Sequence, residues 1–173
     1  MRGRFGSPGP RLLSAIRRAG DTDLPAILAL LTEVDLPIAG VAPGVDAFVV
    51  AESEPAATSR RIVGVGGLEL CGSVALLRSV AVDPACRDSG IGTRLCDRLE
   101  AAAARGVRGI YLLTETAERF FARRGYVRID RANAPPEIAA TAEFSEVCPE
   151  TAVLMTRQTG IARDDAGHGG SAE

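Results

Sequence analysis

A turn with two glycines lies near the middle of the chain, between a short apolar run at residues 74–82 and an amphipathic segment that begins near residue 90. The turn contains Arg87, Gly90 and Gly92. Glycine has no side chain, so the main chain can approach a ligand closely there, and the first amides of a following helix have no intrahelical acceptor. Such donors, together with the positive end of the helix dipole, favour a phosphate or diphosphate, and an arginine can add a charge-assisted hydrogen bond. The turn therefore predicts an anion-binding site, although glycines at such a junction are also common for packing alone.

Two well-known phosphate-binding patterns do not fit this turn. The ATPase pattern GxxxxGK[ST] is absent from the sequence, and the dinucleotide fingerprint needs GxGxxG where the turn has one GxG. The turn is therefore neither of these two motifs.

The turn is embedded in alternating strand and helix patterns. Short apolar runs and alternation predict strands at 12–18, 46–52, 60–70, 74–82, 109–114, 126–129 and 151–157. Helical spacing predicts a helix capped by Thr22, with an apolar stripe formed by Leu24, Ile27, Leu28 and Leu31. A second helix is predicted at about 90–105, with a buried stripe formed by Ile91, Leu95, Leu99 and Ala102.

Later segments complete the predicted fold. A third helix is predicted at 117–125, closed by Gly125, and a helical turn started by proline at 133–147, whereas 35–44 is predicted to be a loop. The strand at 126–129 returns after a helix and is expected to be parallel to its neighbour. The sequence thus predicts an α/β fold, a mixed sheet with helices on both faces and no internal repeat.

Length and composition restrict the class of protein. The 173 residues fit one domain, predicted at 11–157, with flexible ends at 1–10 and 158–173. The net charge is −2 and the basic residues are scattered, so we expect no nucleic acid partner. No apolar run reaches about 18 residues, and the N-terminus lacks the apolar core of a secretory signal, so we expect no membrane partner and a cytoplasmic location.

Cysteine and histidine, which often bind metals, are few and dispersed in this chain. The four cysteines, Cys71, Cys86, Cys96 and Cys148, form no CxxC pair, which favours buried or unreactive thiols and predicts no metal. An alternative is that three of them meet to bind a soft metalloid. The single histidine, His168, lies in the polar C-terminal segment, which argues against a histidine mechanism.

The stretch "VAVDPACRDSGIGTRL" resembles the signature of the GNAT superfamily of N-acetyltransferases, R/Q-x-x-G-x-G/A after a strand, with Arg87, Gly90 and Gly92 at the matching positions. The predicted element order over about 12–157 is also similar to that of the superfamily. The strings "LLRSVAV", "YLLTETAERFFARRGY", "APPEIAATAEFSEVCPETAVLM" and "DLP" resemble the branch associated with bacterial arsenic-resistance operons.

The resemblance implies a GNAT-like acyl-CoA N-acyltransferase fold with a splayed mixed sheet, and acetyl-CoA as the cosubstrate. The diphosphate would lie on the loop formed by Arg87, Asp88, Ser89, Gly90, Ile91, Gly92 and Thr93. The pantetheine arm would pair with Val80, Ala81 and Val82, and Thr114 would offer a hydroxyl near the cofactor. The arm would enter a gap between the strands at 74–82 and 109–114 like an additional strand.

An amine must lose its proton before it attacks a thioester, because a free aliphatic amine has a pKa near about 10. A carboxylate can remove this proton directly or through water, and Glu69 and Glu115 are the catalytic candidates. The alternatives are a solvated surface carboxylate for Glu69 and charge complementarity at a helix start for Glu115. The tetrahedral intermediate needs backbone N–H donors, one of which the family places at the end of the strand at 74–82.

Four residues are candidates for binding the acceptor. Arg78 and Ser79 lie near the expected acetyl position, and Arg78 could bind a carboxylate or oxyanion bidentately, with a surface arginine as the alternative. Leu36 and Pro37 belong to an irregular loop that is expected to cover the acceptor.

One departure from the family concerns the proton that the leaving thiolate receives. The family commonly has a tyrosine as the acid in this string, whereas this chain has Phe121. Tyr126, Tyr111, a thiol or water could substitute, or the thiolate could leave unprotonated, so no acid is assigned.

These expectations describe an acetyl-CoA-dependent N-acetyltransferase that acts on a primary amine of a small molecule, by direct attack without a covalent enzyme intermediate. The branch resemblance implies a role in resistance to arsenic or to toxic amino-acid analogues. Three alternatives remain: a non-catalytic acyl-CoA sensor, favoured by Phe121; a peptide or protein N-acetyltransferase; and an arsenic-binding protein that uses the cysteines. A homodimer is also left open.

Overall fold

The fold is known from a computed structural model, which describes residues 15–53 and 61–160. The strands within these residues are β1 (Ala15–Arg18), β2 (Phe48–Glu52), β3 (Ile62–Cys71), β4 (Val74–Val82), β5 (Gly109–Thr114), β6 (Val127–Ile129) and β7 (Val153–Gln158). The α-helices are α1 (Leu24–Glu33), α2 (Ile91–Ala103), α3 (Glu118–Arg123) and α4 (Pro136–Ala139). Predicted features at 1–10, 12–14, residue 60, 161–173 and His168 lie outside the described residues.

The strands form one mixed sheet in the order β1-β2-β3-β4-β5-β7-β6. β1 pairs antiparallel with β2, and β2 pairs antiparallel with β3. β4 and β5 are parallel and pair through 74–76 and 109–111. The prediction of a mixed α/β sheet is confirmed, as is the predicted order of strands and helices.

The prediction that β6 is parallel to its neighbour in the sheet is wrong. The hydrogen-bonded neighbour of β6 is β7, with Val127 opposite Thr156 and Ile129 opposite Leu154 in antiparallel register. β7 also pairs antiparallel with β5. The last strand of the chain therefore occupies the place beside β5 that the prediction assigned to β6.

The chain divides into two compact units. Among the described residues, the first unit contains 15–53, 61–68 and 78–99, and the second contains 69–77 and 100–160. The first unit has a core formed by Ala19, Ile27, Leu30, Leu31, Val41, Val45, Phe48, Val50, Val65 and Ala81. The second has a core formed by Val74, Leu76, Tyr111, Ile138 and Leu154. The single domain at 11–157 stays a prediction.

Helix α1 begins one residue later than the predicted cap. Thr22 lies within a short 3-10 turn, and Asp23 is at the N-cap position of α1. The buried carboxylate of Asp23 accepts hydrogen bonds from the Gly20 amide (2.9 Å) and from two guanidinium nitrogens of Arg17 (2.7 and 2.8 Å). The hydrogen bonds from Arg17 hold the pKa of Asp23 below its usual range, against the opposing effect of burial. The prediction of Thr22 as the cap is therefore wrong, because Asp23 is held there by long-range partners.

The end of α1 is a left-handed turn. Asp35 has φ +57°, and the Leu36 amide donates to the Leu31 carbonyl at 2.9 Å. Such a turn satisfies carbonyls that the last helical residues leave without partners. The predicted loop at 35–44 is wrong in its second part, since a 3-10 segment forms at Ala42–Ala47.

Glycines in β3 allow α2 to pack closely on the strand. A Cβ built at Gly64 would lie 2.8 Å from Cγ2 of Ile91 and 2.9 Å from Cδ1 of Leu95. A Cβ built at Gly66 would lie 2.9 Å from Cδ1 of Leu99. Gly64 and Gly66 are two residues apart and so share a face of the strand. Their missing side chains set the distance between α2 and β3.

The predicted apolar stripe of α2 is correct except at its end. Ile91, Leu95 and Leu99 are buried as predicted. Ala102 is exposed, and Ala103 is buried in its place. Ile91, Leu95, Leu99 and Ala103 follow one another at intervals of four residues, so Ala103 lies on the same side of the helix as Leu99.

The second unit contains a buried ion cluster. Glu100 accepts hydrogen bonds from Arg124 (3.1 and 2.7 Å), Arg157 (3.0 Å) and the hydroxyl of Tyr126 (3.1 Å). Gly125, which follows the C-cap residue Arg124 of α3, has φ +87°, as predicted for the end of this helix. The cluster joins the C-terminal part of α2 to β7 and to the segment that leaves α3.

Candidate active site

The turn after β4 is built on a buried carboxylate. The Asp83 amide donates to the Val63 carbonyl (2.9 Å), and its own carbonyl accepts from the Cys86 amide (2.8 Å). Its Oδ1 accepts from the Ala85 amide (2.8 Å), which caps the short 3-10 turn that follows. The Ser89 hydroxyl donates to the Cys86 carbonyl. Hydrogen bonds therefore define the path of the chain from β4 to residue 89.

The residues of the predicted anion turn are exposed. Arg87, Asp88, Ser89 and Gly90 all lie at the surface of the first unit. Asp88 has φ +61° and Gly90 has φ +81°, both in the left-handed region. A Cβ on Gly90 would meet no atom within 4 Å. The main chain at Gly90 therefore faces open space that a ligand can enter.

Helix α2 follows this turn at once. The Arg94 amide donates to the Gly90 carbonyl at 3.1 Å. The amides of Ile91, Gly92 and Thr93 precede this bond and have no acceptor within the helix. The side chain of Ile91 is buried, whereas Thr93 is exposed. Three backbone donors at the positive end of a helix fit the diphosphate that the sequence predicts.

The end of β4 contains a conformation that the sequence analysis missed. Ser79, which lies within β4 and three residues before its last residue, has φ +54°. A left-handed non-glycine residue in a strand is uncommon and is a reason to look for function nearby. Val80 and Val82 are half-buried and Ala81 is buried. The two polar residues Arg78 and Ser79 interrupt the apolar run of this strand, and this interruption is the signal in the sequence that coincides with the irregularity.

Arg78 contacts the loop that follows α1. Its Nη2 donates to the Ala39 carbonyl at 2.6 Å. A Cβ on Gly40, which has φ +73°, would lie 3.2 Å from Nη1 of Arg78. The structure thus places Arg78 against the loop that contains Leu36 and Pro37, two other predicted acceptor residues. Both are half-buried, and Leu36 also packs on the core of the first unit.

The remaining predicted site residues belong to the second unit. The Thr114 hydroxyl accepts from the Ala117 amide (3.0 Å) near the start of α3. Glu115 is exposed and accepts from the Thr151 hydroxyl (3.1 Å). Glu69 is half-buried near the end of β3. Thr114 and Glu115 thus have local structural partners, and their predicted roles, like that of Glu69, stay predictions.

The two tyrosines considered as proton donors are both buried. Phe121 packs edge-on against Tyr126, with ring centroids 5.6 Å apart. The Tyr126 hydroxyl donates to Glu100, and Tyr111 lies in the core of the second unit. Phe121 therefore has a packing role, and the general acid stays unassigned.

The cysteines do not form a cluster for a soft metalloid. All four are free thiols. Within 15–53 and 61–160, no group of three or more His, Cys, Asp or Glu side chains is arranged to hold a metal ion. Burial, with Glu69 and Glu137 adding to it, raises the pKa of Cys71 and so disfavours its thiolate. In the same two segments, no helix has the length and apolar character needed to cross a bilayer.

Comparisons with known proteins agree with this fold. Residues 44–128 match the family described as "Acetyltransferase (GNAT) domain". The chain is 32% identical over 141 residues to an amino-acid acetyltransferase of Mycobacterium tuberculosis, a match that covers 77% of this chain and 76% of the relative.

Solved structures with a similar fold include N-acetylglutamate synthase from Neisseria gonorrhoeae in complex with coenzyme A and N-acetyl-glutamate, with a TM-score of 0.72 and 18% identity. The match covers 85% of this chain but 35% of the synthase, so the chain spans about a third of that protein. A Mycobacterium tuberculosis protein in complex with CoA and a second ligand has a TM-score of 0.68 and 27% identity, over 82% of this chain and 97% of that protein.

The chain belongs to the GNAT family of N-acetyltransferases. It is an acetyl-CoA-dependent enzyme, and acetyl-CoA is its cosubstrate. The predicted superfamily, fold and cosubstrate are confirmed. None of the relatives described above is named for arsenic resistance, so that branch stays a prediction.

Proposed function

We propose that the protein transfers the acetyl group of acetyl-CoA to the amine of a free amino acid. The observation that carries this proposal is the 32% identity to an amino-acid acetyltransferase over most of both chains. A neighbour of similar fold was solved with N-acetyl-glutamate, an acetylated amino acid. The proposal narrows the predicted class of acceptor, a small-molecule amine, to amines that also bear a carboxylate.

The turn of the first unit is proposed to hold the cosubstrate, which supplies the thioester that the amine attacks. The amides of residues 91–93 bind the diphosphate, and Arg87 pairs with its charge. Gly90 lets the main chain approach, because open space lies where a Cβ would project. The backbone at 80–82 aligns the pantetheine arm, and the irregularity at Ser79 sets which peptide groups face it.

Arg78 is proposed to bind the carboxylate of the amino acid. A guanidinium presents five N–H donors in a planar fork, a geometry that matches a carboxylate. The Nη2 bond to the Ala39 carbonyl holds this side chain at the loop with Leu36 and Pro37. A carboxylate-bearing acceptor would therefore meet a charged group already positioned by its neighbours, which reduces the entropy lost on binding.

Proton removal is proposed to use a carboxylate, with Glu69 and Glu115 as the candidates. The amine then attacks the thioester directly, the C–S bond breaks, and the electron pair leaves with the CoA thiolate. Glu115 is the more exposed of the two and is hydrogen-bonded to Thr151. Separate Glu69→Gln and Glu115→Gln variants identify the base, since the correct one loses kcat and the acidic limb of its pH profile.

The experiment is a thiol-release assay with acetyl-CoA and a panel of free amino acids. Each amino acid is paired with the amine obtained by removing its α-carboxylate. We expect turnover with at least one amino acid and at least tenfold lower kcat/KM with its paired amine. An amino-acid-like arsenical and a phosphinic analogue are included, because the predicted role in resistance to such compounds requires them to be acetylated.

Three results would contradict the proposal. Equal turnover of the paired amines would remove the need for a carboxylate, and acetylation of peptides alone would favour a protein N-acetyltransferase. Acetyl-CoA binding without turnover by any acceptor would favour the sensor. Arg78→Gln serves as the internal control, because it should raise KM for the amino acid and leave KM for acetyl-CoA unchanged.

A further inference from the structure

We infer that the ion pair between the buried Asp83 and the exposed Arg61 is a positioning device for the coenzyme A diphosphate: Asp83 shapes the turn, and Arg61 neutralises the carboxylate that does so. The inference rests on the proposed placement of the diphosphate at residues 87–93. Nη2 of Arg61 lies 2.8 Å from Oδ2 of Asp83, and the side chains are 65% and 8% exposed.

The two oxygens of the Asp83 carboxylate have different partners. Oδ1 accepts from the Ala85 amide, which fixes the first residues after β4. Oδ2 faces the guanidinium of Arg61. The same residue bonds through its backbone to Val63 and Cys86, so the turn is attached to β3 on one side and leads to residue 89 on the other. Asp83 therefore positions the anion turn without belonging to it.

A buried carboxylate at the base of an anion-binding turn has an electrostatic disadvantage. Its negative charge opposes the approach of a diphosphate, and burial reduces the screening by water that would weaken this repulsion. Arg61 supplies a compensating positive charge in direct contact with Oδ2. The pair as a whole is neutral, so the turn keeps its hydrogen-bonded shape without repelling the ligand.

The position of Arg61 is itself determined by the sheet. Its carbonyl accepts from the Ser53 amide (2.9 Å), and its amide donates to the Ser53 hydroxyl (3.4 Å). These bonds fix the main chain of Arg61 just before β3, from which the side chain reaches Asp83. The ion pair thus joins the residue before β3 to the residue after β4, and through Asp83 it positions the turn at 87–93.

The test is a double-mutant cycle read by calorimetric titration of CoA, without any acceptor. Arg61→Gln leaves the Asp83 charge uncompensated and should weaken CoA binding by about threefold to tenfold, since the charge is partly screened. Asp83→Asn keeps an oxygen that accepts from Ala85 and removes the charge. Adding Asp83→Asn to Arg61→Gln should therefore restore the affinity to within about twofold of the wild type. Asp83→Ala removes the cap as well and should not restore it.

Two controls separate positioning from general effects. Arg18→Gln removes an exposed arginine of the first unit elsewhere and should leave CoA affinity unchanged. Acetyl-pantetheine, a donor truncated so that it lacks the diphosphate, is titrated in the same way without an acceptor, and its affinity should not respond to Arg61→Gln. Melting temperatures of all variants show whether each is folded.

The inference would be overturned by unchanged CoA affinity in Arg61→Gln, by failure of Asp83→Asn to restore it, or by an equal loss with the truncated donor. None of these readouts involves an amino acid. Failure of this inference is thus distinguishable from failure of the proposed acceptor, which the thiol-release assay tests.

Discussion

Replacing Gly64 by alanine should push the start of α2 away from β3 and so weaken both the fold and the binding of CoA. The new Cβ would lie 2.8 Å from Cγ2 of Ile91, about 0.6 Å closer than an ordinary 3.4 Å contact. Cγ2 is governed by the single χ1 torsion of a β-branched residue, which is stiff in a helix. Ile91 is the first residue of α2, so relief of the clash moves the amides at 91–93.

The size of the effect follows from two opposing contributions. Overpacking of a filled core destabilises by about 1–3 kcal/mol, and the loss of glycine flexibility in the unfolded chain offsets about 0.4–1 kcal/mol. A net loss of about 1–2 kcal/mol corresponds to a Tm lower by about 2–8 °C for a chain of this length. The CoA affinity should fall as well, because the donors move relative to the rest of the turn.

Thermal unfolding and calorimetric titration of CoA measure the two effects on the same protein. Gly44→Ala is the matched control, since Gly44 has φ −118° and a Cβ there would meet no atom within 4 Å. We expect this control to have an unchanged or slightly raised Tm and an unchanged affinity. If Gly64→Ala behaves like Gly44→Ala, close packing at Gly64 does not position the helix and the reasoning is refuted.

Three further predictions concern other parts of the molecule. Gly90→Ala places a side chain on a residue with φ +81°, which costs about 1–2 kcal/mol; CoA binding measured by calorimetry should weaken, and unchanged affinity would argue against the proposed turn. Glu100→Gln leaves Arg124 and Arg157 without their buried carboxylate and should lower the free energy of unfolding in urea by about 3 kcal/mol; a change within error would show that the cluster contributes no net stability. The pKa of Asp23 is lowered by hydrogen bonds from Arg17, so its contribution is present above the unfolded pKa of about 3.9 and is lost as the pH falls through the folded value. Stability measured below about pH 4 should therefore depend less on pH in Asp23→Asn, and parallel profiles would contradict this assignment.

Local patterns predicted most of the regular elements. β4 and β5 have the bounds predicted from their apolar runs, and Gly125 adopts the positive φ expected at a helix end. The glycine turn was located from two residues and an adjacent strand. These features depend on neighbours along the chain, so sequence alone is sufficient to find them.

Strand pairing and caps were less predictable. β6 pairs with a strand that comes later in the chain, and Asp23 replaces Thr22 as the cap because Arg17 and Gly20 bind it. Neither choice is visible in a window of a few residues, since each depends on a partner brought close by folding.

The candidate site divides in the same way. The residue types at 87–93 predicted an anion-binding turn, and the family resemblance predicted which cosubstrate the anion belongs to. Only the tertiary structure placed Arg78 against the loop that follows α1, Arg61 against Asp83, and Gly64 under the start of α2. The physical reason is that a helix start and its glycines are local properties of the backbone, whereas a neutralised carboxylate or a close helix contact requires residues far apart in sequence to meet.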